Sequence, residues 1–132
     1  MNEKIAHLNM IQDVLTRMAN YSMLMKVFSL VITLGLIITS SNTVSNAYLF
    51  LAYLPCAALW TLDGFFLWQE RMYRKLYQAV SKTPNSDINF DMNATKFINE
   101  IDEWFSTSFS KTLCLFHGVL FSIVTFGILL GL

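Results

Sequence analysis

Residues 21–38 read YSMLMKVFSLVITLGLII, with a single charge, Lys26, near the start. A hydrocarbon core about 30 Å thick takes about 20 apolar helical residues, so this stretch reads as a membrane span. Working outward, two further stretches share its length and character. Residues 47–68 (AYLFLAYLPCAALWTLDGFFLW) carry one charge, Asp63, and residues 112–132 (TLCLFHGVLFSIVTFGILLGL) carry none. No Asp, Glu, Lys or Arg lies between Lys26 and Asp63, or after Lys111. A soluble helical domain must spread charge over its outer faces, and these stretches cannot. Of 132 residues, 55% are hydrophobic and 14% charged, against about 25% charged in an average soluble domain. Nine Lys and Arg balance nine Asp and Glu, so bulk charge implies no basic or acidic partner. A soluble enzyme, a disordered tail and a disulfide scaffold all fit this composition badly.

The expected fold is therefore all-α: an integral membrane protein, one domain over residues 1–132, built as a bundle of three long helices. Its spans are about 21–38, 47–68 and 112–132. The polar turn Ser40–Asn46 joins the first two as a hairpin. The N-terminus lacks the apolar run and cleavage site of a secretory signal, so the first span is read as a retained anchor. Lys and Arg set the orientation. Lys4, Arg17 and Lys26 precede or open the first span, and Arg71, Arg74, Lys75, Lys82, Lys96 and Lys111 lie between the second and third. The N-terminus and central segment are expected in the cytoplasm, the hairpin and C-terminus outside.

Three helical parts are expected on the cytoplasmic side, at 3–20, 70–82 and 93–111. In the first, Ile5, Leu8, Ile11, Leu15 and Met18 recur at helical spacing, while His7, Asp13, Arg17 and Asn20 fall elsewhere. No Pro or Gly separates it from the first span. It either stands in the bundle or lies flat on the membrane. Met72, Leu76, Ala79 and Val80 share a face of the second part, which Pro84 stops. Asp91 or Asn93 would cap the last, whose stripe is Phe97, Ile98, Ile101, Trp104, Phe105 and Ser108. Three uninterrupted helices of roughly 55–60 Å follow.

Asp63 is the only carboxylate and His117 the only histidine within the spans. Asp63 precedes Glu70 by seven residues and His117 follows Lys111 by six. Both would sit roughly 9–10 Å inside the cytoplasmic face, so a contact is expected. An intramembrane ionisable group is costly and finds a partner. The pair reads either as a clamp that fixes helix register or as a proton relay or polar constriction. Lys26 is read as snorkelling to the interface. Pro55 would remove a backbone hydrogen bond mid-span, giving a hinge or a packing bend. Gly118, Ser122, Thr125, Gly127 and Gly131 form a small-residue face for helix packing, within one subunit or between subunits. Gly64 is a second place for close approach. Arg71, Arg74 and Lys75 lie just beneath the membrane, positioned for lipid headgroups. Cys56 and Cys114 differ in depth by roughly 15 Å, too far for a disulfide. With no phosphate loop, metal-ligand cluster or nucleophile–base spacing, the reading is a non-enzyme without metal, cofactor or nucleic-acid partner.

The block Tyr53-Leu-Pro55, then Trp60-Thr-Leu-Asp63-Gly-Phe-Phe-Leu-Trp-Gln-Glu70-Arg-Met-Tyr-Arg-Lys-Leu-Tyr77, resembles one in a group of small uncharacterised bacterial membrane proteins. Met10-Ile-Gln-Asp-Val-Leu-Thr-Arg-Met-Ala-Asn20 is similar to theirs too, so the resemblance covers about the first 80 residues. Those proteins resemble ones encoded in mobile antiphage defence islands, beside sensor or signalling genes such as TIR-like proteins. The resemblance implies an inner-membrane effector of antiphage defence. As an effector, the chain would form a homo-oligomer that disrupts or permeabilises the membrane when triggered, with a cytoplasmic sensor or signalling protein as partner. Ser29 and Thr33 would line such a pore with Asp63 and His117. The alternative is a non-catalytic accessory or anchor subunit of a larger membrane complex.

Overall fold

The computed structural model describes residues 2–42 and 47–131. Within these residues the chain is helical, and no strand occurs. Helix α1 runs unbroken over Glu3–Asn42. No Pro interrupts it, and its one glycine, Gly35, meets no neighbouring atom that a Cβ would strike. The hairpin turn expected at 40–46 is helical to Asn42, and its remainder lies outside the described residues. A short α2, Ala47–Phe50, leads through a turn at Leu51 and Ala52 into α3, Tyr53–Lys82.

The continuous helix expected from residue 47 is thus broken. Pro55 occupies the first turn of α3, where its missing N–H has no intrahelical partner to lose, and the regular helix is interrupted by the turn at Leu51 and Ala52 just before it. Among the described residues two helices, α1 and α5, are long and apolar enough to cross a membrane. The expected third, at 47–68, does not qualify. Its leading apolar residues belong to α2, and within α3 the apolar run that starts at Tyr53 meets Asp63 and then Gln69 and Glu70 too soon.

Beyond α3 the chain tightens. Short 3-10 turns at Asn85–Asp87 and Ala94–Glu100 lead to α4, Trp104–Ser108, and then to α5, Lys111–Leu129. The single helix expected over 93–132 is therefore three pieces. Asn93 does cap, accepting from the Thr95 N–H at 3.1 Å, but it caps a 3-10 segment. Ile98, Trp104 and Phe105 of the expected buried stripe are exposed.

Helices α1 and α3 pack antiparallel along their length, and α5 packs antiparallel to α3 at one end. The two ends of this bundle differ in kind. At the end holding the chain's N-terminus, Ile11, Met72, Leu76, Val80 and Ala94 form an apolar core under a polar surface. Here the buried face of α1 is offset from the expected one: Ile5 is exposed, and His7 is buried beside Ile11 and Val14. The loop after α3 supplies the reason, since it passes over this turn. Asn85 Oδ1 accepts from the Lys4 N–H at 3.1 Å, and His7 Nε2 lies 3.0 Å from the Asp91 carbonyl. Residues 3–20 consequently stand in the bundle.

At the other end the arrangement inverts. Leu24, Val27, Phe28, Leu30, Val31, Leu34 and Ile38 of α1 are exposed, as are Leu115, Val119, Ile123, Phe126 and Leu129 of α5. Their interior holds Ser29, Thr33, Ser40, Asp63 and His117 among Leu49, Cys56, Leu120 and Val124, each at most 3% exposed. An apolar exterior over buried ionisable groups is not the pattern of a soluble domain.

Candidate functional site: a buried charge cluster

Asp63 organises the inverted half. It lies on the buried face of α3 and is fully enclosed. Its Oδ2 accepts from Lys26 Nζ at 2.7 Å and from His117 Nε2 at 2.8 Å. Its Oδ1 accepts a hydrogen bond from the Ser22 hydroxyl, and that hydroxyl accepts from Lys26 Nζ at 2.9 Å. Ser22 and Lys26 are four apart on α1 and so face the same way. Three helices therefore meet on one carboxylate, through a hydroxyl, an ammonium and an imidazole.

The cluster joins the expected pair, Asp63 and His117, and adds two residues that were not expected in it. Lys26 does not snorkel outward; its amine turns inward, with 16% of the side chain exposed. The reason is electrostatic. A buried carboxylate without a counter-charge is far more costly than the turn of one lysine stem. A carboxylate beside His117 Nε2 makes that nitrogen the N–H donor. Its Nδ1 is buried and has no hydrogen-bond partner among the described residues. Trp60 stacks on the imidazole, with ring centroids 5.6 Å apart and planes within 10°, and closes that side.

The cluster's wall is built by close packing. Ser108 of α4 lies against Gly64, where an added Cβ would meet the Ser108 Cα at 2.9 Å and its Oγ at 2.0 Å. Gly64 is thus the close-approach residue, next to the aspartate it helps to enclose. Two indoles lace α4 to α3. Trp60 Nε1 donates to the Ser108 carbonyl at 2.7 Å, and Trp104 Nε1 donates to the Thr61 carbonyl at 3.0 Å. Phe105 and Phe109 are left exposed beside them.

The remaining singled-out residues are dispersed. Nothing approaches the position of a Cβ at Gly118. Ser122 is exposed, and its hydroxyl donates back to the Gly118 carbonyl at 2.8 Å. Thr125 meets Tyr53 Oη at 2.6 Å, Gly127 is buried, and Gly131 takes a φ of 72° beyond the end of α5. These five form no single contact surface inside the protomer. Of the basic trio, Arg71 lies 3.7 Å from Asp102 and Arg74 lies 2.7 Å from Glu70, so two of the three are drawn into ion pairs. Lys75 borders a shallow polar groove with Gln78 and Asn99. Cys56 and Cys114 are free thiols, and Cys56 Sγ is 3.2 Å from Thr33 Oγ1. Among the described residues no three His, Cys, Asp or Glu side chains converge as metal ligands.

Fold and site together define an all-helical bundle with one polar and one apolar half, and a charge cluster buried in the latter. No protein-family model matches the chain, and no curated protein or solved structure does either.

Proposed function

We propose that this chain is a membrane-embedded effector. It resides in the bacterial inner membrane with its N-terminus in the cytoplasm and its C-terminus in the periplasm. It assembles into a homo-oligomer and makes the membrane leaky when a cytoplasmic sensor or signalling partner triggers it, in the setting of antiphage defence. The observation that carries the membrane part is the inverted half, where an apolar exterior encloses Lys26, Asp63 and His117. Water would cover that exterior at great cost, whereas lipid covers it at none. The defence setting rests on the resemblance of residues 10–20 and 53–77. A constitutive leak would kill the host, and a neutralised, hydrogen-bonded cluster gives the closed resting state that an effector needs. The same closure favours a second reading, a static anchor subunit of a larger complex.

The deciding experiment expresses the chain with its neighbouring genes, applies a phage trigger and follows a membrane-potential dye. The effector reading expects depolarisation before growth stops. Growth arrest with potential and ion retention intact would transfer the case to the anchor subunit.

A further inference from the structure

The outer surface of the inverted half carries a groove of about 510 Å³ between α3, α4 and α5. Trp104, Phe105, Ser108 and Phe109 of α4 form one wall, Ala57, Trp60 and Thr61 of α3 form the other, and Phe121 of α5 completes it. None of these side chains is charged, and every polar one is already used within the protein. Trp60 Nε1 donates to the Ser108 carbonyl and Trp104 Nε1 to the Thr61 carbonyl. The Thr61 hydroxyl donates to the Ala58 carbonyl at 2.8 Å and the Ser108 hydroxyl to the Trp104 carbonyl at 3.0 Å. A polar ligand would lose its hydration here and gain no bond in return, so the groove selects hydrocarbon. Phe105 and Phe109, with ring centroids 5.1 Å apart, leave apolar area for an occupant to cover.

The neighbouring charge says which hydrocarbon. Lys111 follows Phe109 by two residues, is exposed and opens α5. No ion pair among the described residues includes it. The carboxylates beside α4 do not answer it: Asp102 turns to Arg71 at 3.7 Å, and Glu103 precedes α4 at its other end. From Lys111 to Phe121 the rise along α5 is about 15 Å, half of a hydrocarbon core of about 30 Å. A cation above an apolar groove one leaflet deep matches a phospholipid, in which a phosphate is joined to an acyl chain.

We propose that this groove binds one phospholipid of the cytoplasmic leaflet, with its acyl chain against Trp60 and Phe105 and its phosphate on Lys111, and that the bound chain holds the charge cluster closed. The proposal rests on the membrane-embedded reading above and adds a lipid that regulates it. Trp60 carries the second half. Its indole lines the groove and also stacks on His117, so one side chain separates the acyl chain from the imidazole on Asp63. Phe109 and Phe121, with ring centroids 5.6 and 5.5 Å from the indole, brace it, and the acyl chain completes the brace. Loss of the lipid loosens Trp60, and with it His117.

The test titrates the full chain in dodecyl maltoside with phosphatidylglycerol brominated in its acyl chains, which quenches the tryptophans it touches. Trp60 and Trp104 line the groove and Trp68 does not. We expect saturable quenching at one lipid per chain. Ala57→Phe fills the groove from an exposed helix position and should weaken binding about tenfold or more, while a melting curve checks its fold. Lys111→Gln should weaken it roughly threefold, and Lys111→Arg should keep it. In NMR of isotope-labelled histidine, His117 should shift at the same lipid concentrations and His7 should not. Quenching that does not saturate, or that Ala57→Phe leaves unchanged, would overturn the groove as a site. Equal binding of a brominated detergent without phosphate would overturn the phospholipid. A doubled mass in detergent with no quenching would give the groove to a second copy and overturn the lipid too. His117 unmoved while Trp60 is quenched would overturn the hold on the cluster. Flotation with vesicles tests the membrane reading separately. A chain that floats and is not quenched overturns the groove alone, and a chain that does not float overturns the reading on which it rests.

Discussion

At the scale of single residues, the balance at Asp63 decides the most. A buried ion pair gives little net stability, because its attraction must offset two desolvations, but removing one partner leaves an uncompensated charge. Lys26→Met alone and Asp63→Leu alone should each destabilise the bundle by about 3–5 kcal/mol. The Lys26→Met/Asp63→Leu double variant should recover most of that loss, because neither charge is then stranded. Denaturation in detergent reads all four states of the cycle, and simple additivity would show that the two groups do not depend on each other. The pairing of Asp63 with His117 was legible from depth alone. Lys26 was legible as well, by a different count. It lies 17 residues before Thr43 and Asp63 lies 17 after Asn46, so an antiparallel hairpin sets them level. Its flexible stem hid this, since a lysine near a span end reaches water as easily as a neighbour. Ser22 left no sequence signal, because a hydroxyl's role depends on what the facing helix presents.

At the scale of elements, the reading succeeded where one periodic pattern ran unbroken and failed where local turn chemistry took over. Helix α1 has no breaker and came out as one element. Residues 93–111 hold an apolar pattern compatible with a helix, yet the Asn93 side chain bonds the Thr95 N–H and the backbone is extended at Ile101, Glu103 and Ser110, so the segment divides. The loop before it clasps α1 through Asn85 and Asp91, with Phe90 held at a φ of 55°. The Lys96 ammonium at 2.8 Å and the Asn93 N–H at 2.9 Å hold the Asp91 carboxyl below the usual carboxylate range. A depressed folded pKa adds stability that is present above the unfolded value and lost as pH falls through the folded one. With an unfolded value of about 3.9, the contribution is complete near neutral pH and declines below about pH 4. Hydrogen-exchange protection of residues 84–93 should therefore hold steady from neutrality down to about pH 5 and then fall in stronger acid. In Asp91→Asn the acid step should shrink or vanish. An identical acid step in the variant would place the titration on another carboxylate.

For the whole molecule, the outstanding matter is how α3 relates to the membrane, since its own composition does not qualify it as a span. The packing supplies an argument that composition lacks. Along one stretch α3 is tied to both qualifying helices at the same levels: Cys56 to Thr33 and Asp63 to Lys26 on α1, Tyr53 to Thr125 and Asp63 to His117 on α5. Helices α1 and α5 run in the same direction, and α3 runs between them in the opposite one. If α1 and α5 cross a bilayer, the segment of α3 from Tyr53 to Asp63 must return through the same slab, with its charge shielded by theirs. A hydropathy count taken one helix at a time misses this, because insertion cost belongs to the assembled charges rather than to Asp63 alone. On the proposed membrane reading, three crossings would place the two termini on opposite sides, with the N-terminus on the side that the Lys and Arg distribution marks as inside. A periplasm-dependent reporter fused after Leu132 should therefore be active, and one fused within 84–91 should be silent. In Lys26→Met the second crossing loses its counter-charge, so a reporter after Leu132 should lose activity in part as α3 fails to return. Full cytoplasmic activity of the wild-type Leu132 fusion would rule out the three-crossing arrangement and leave α1 and α5 packed outside a bilayer, with their apolar faces turned to some other partner.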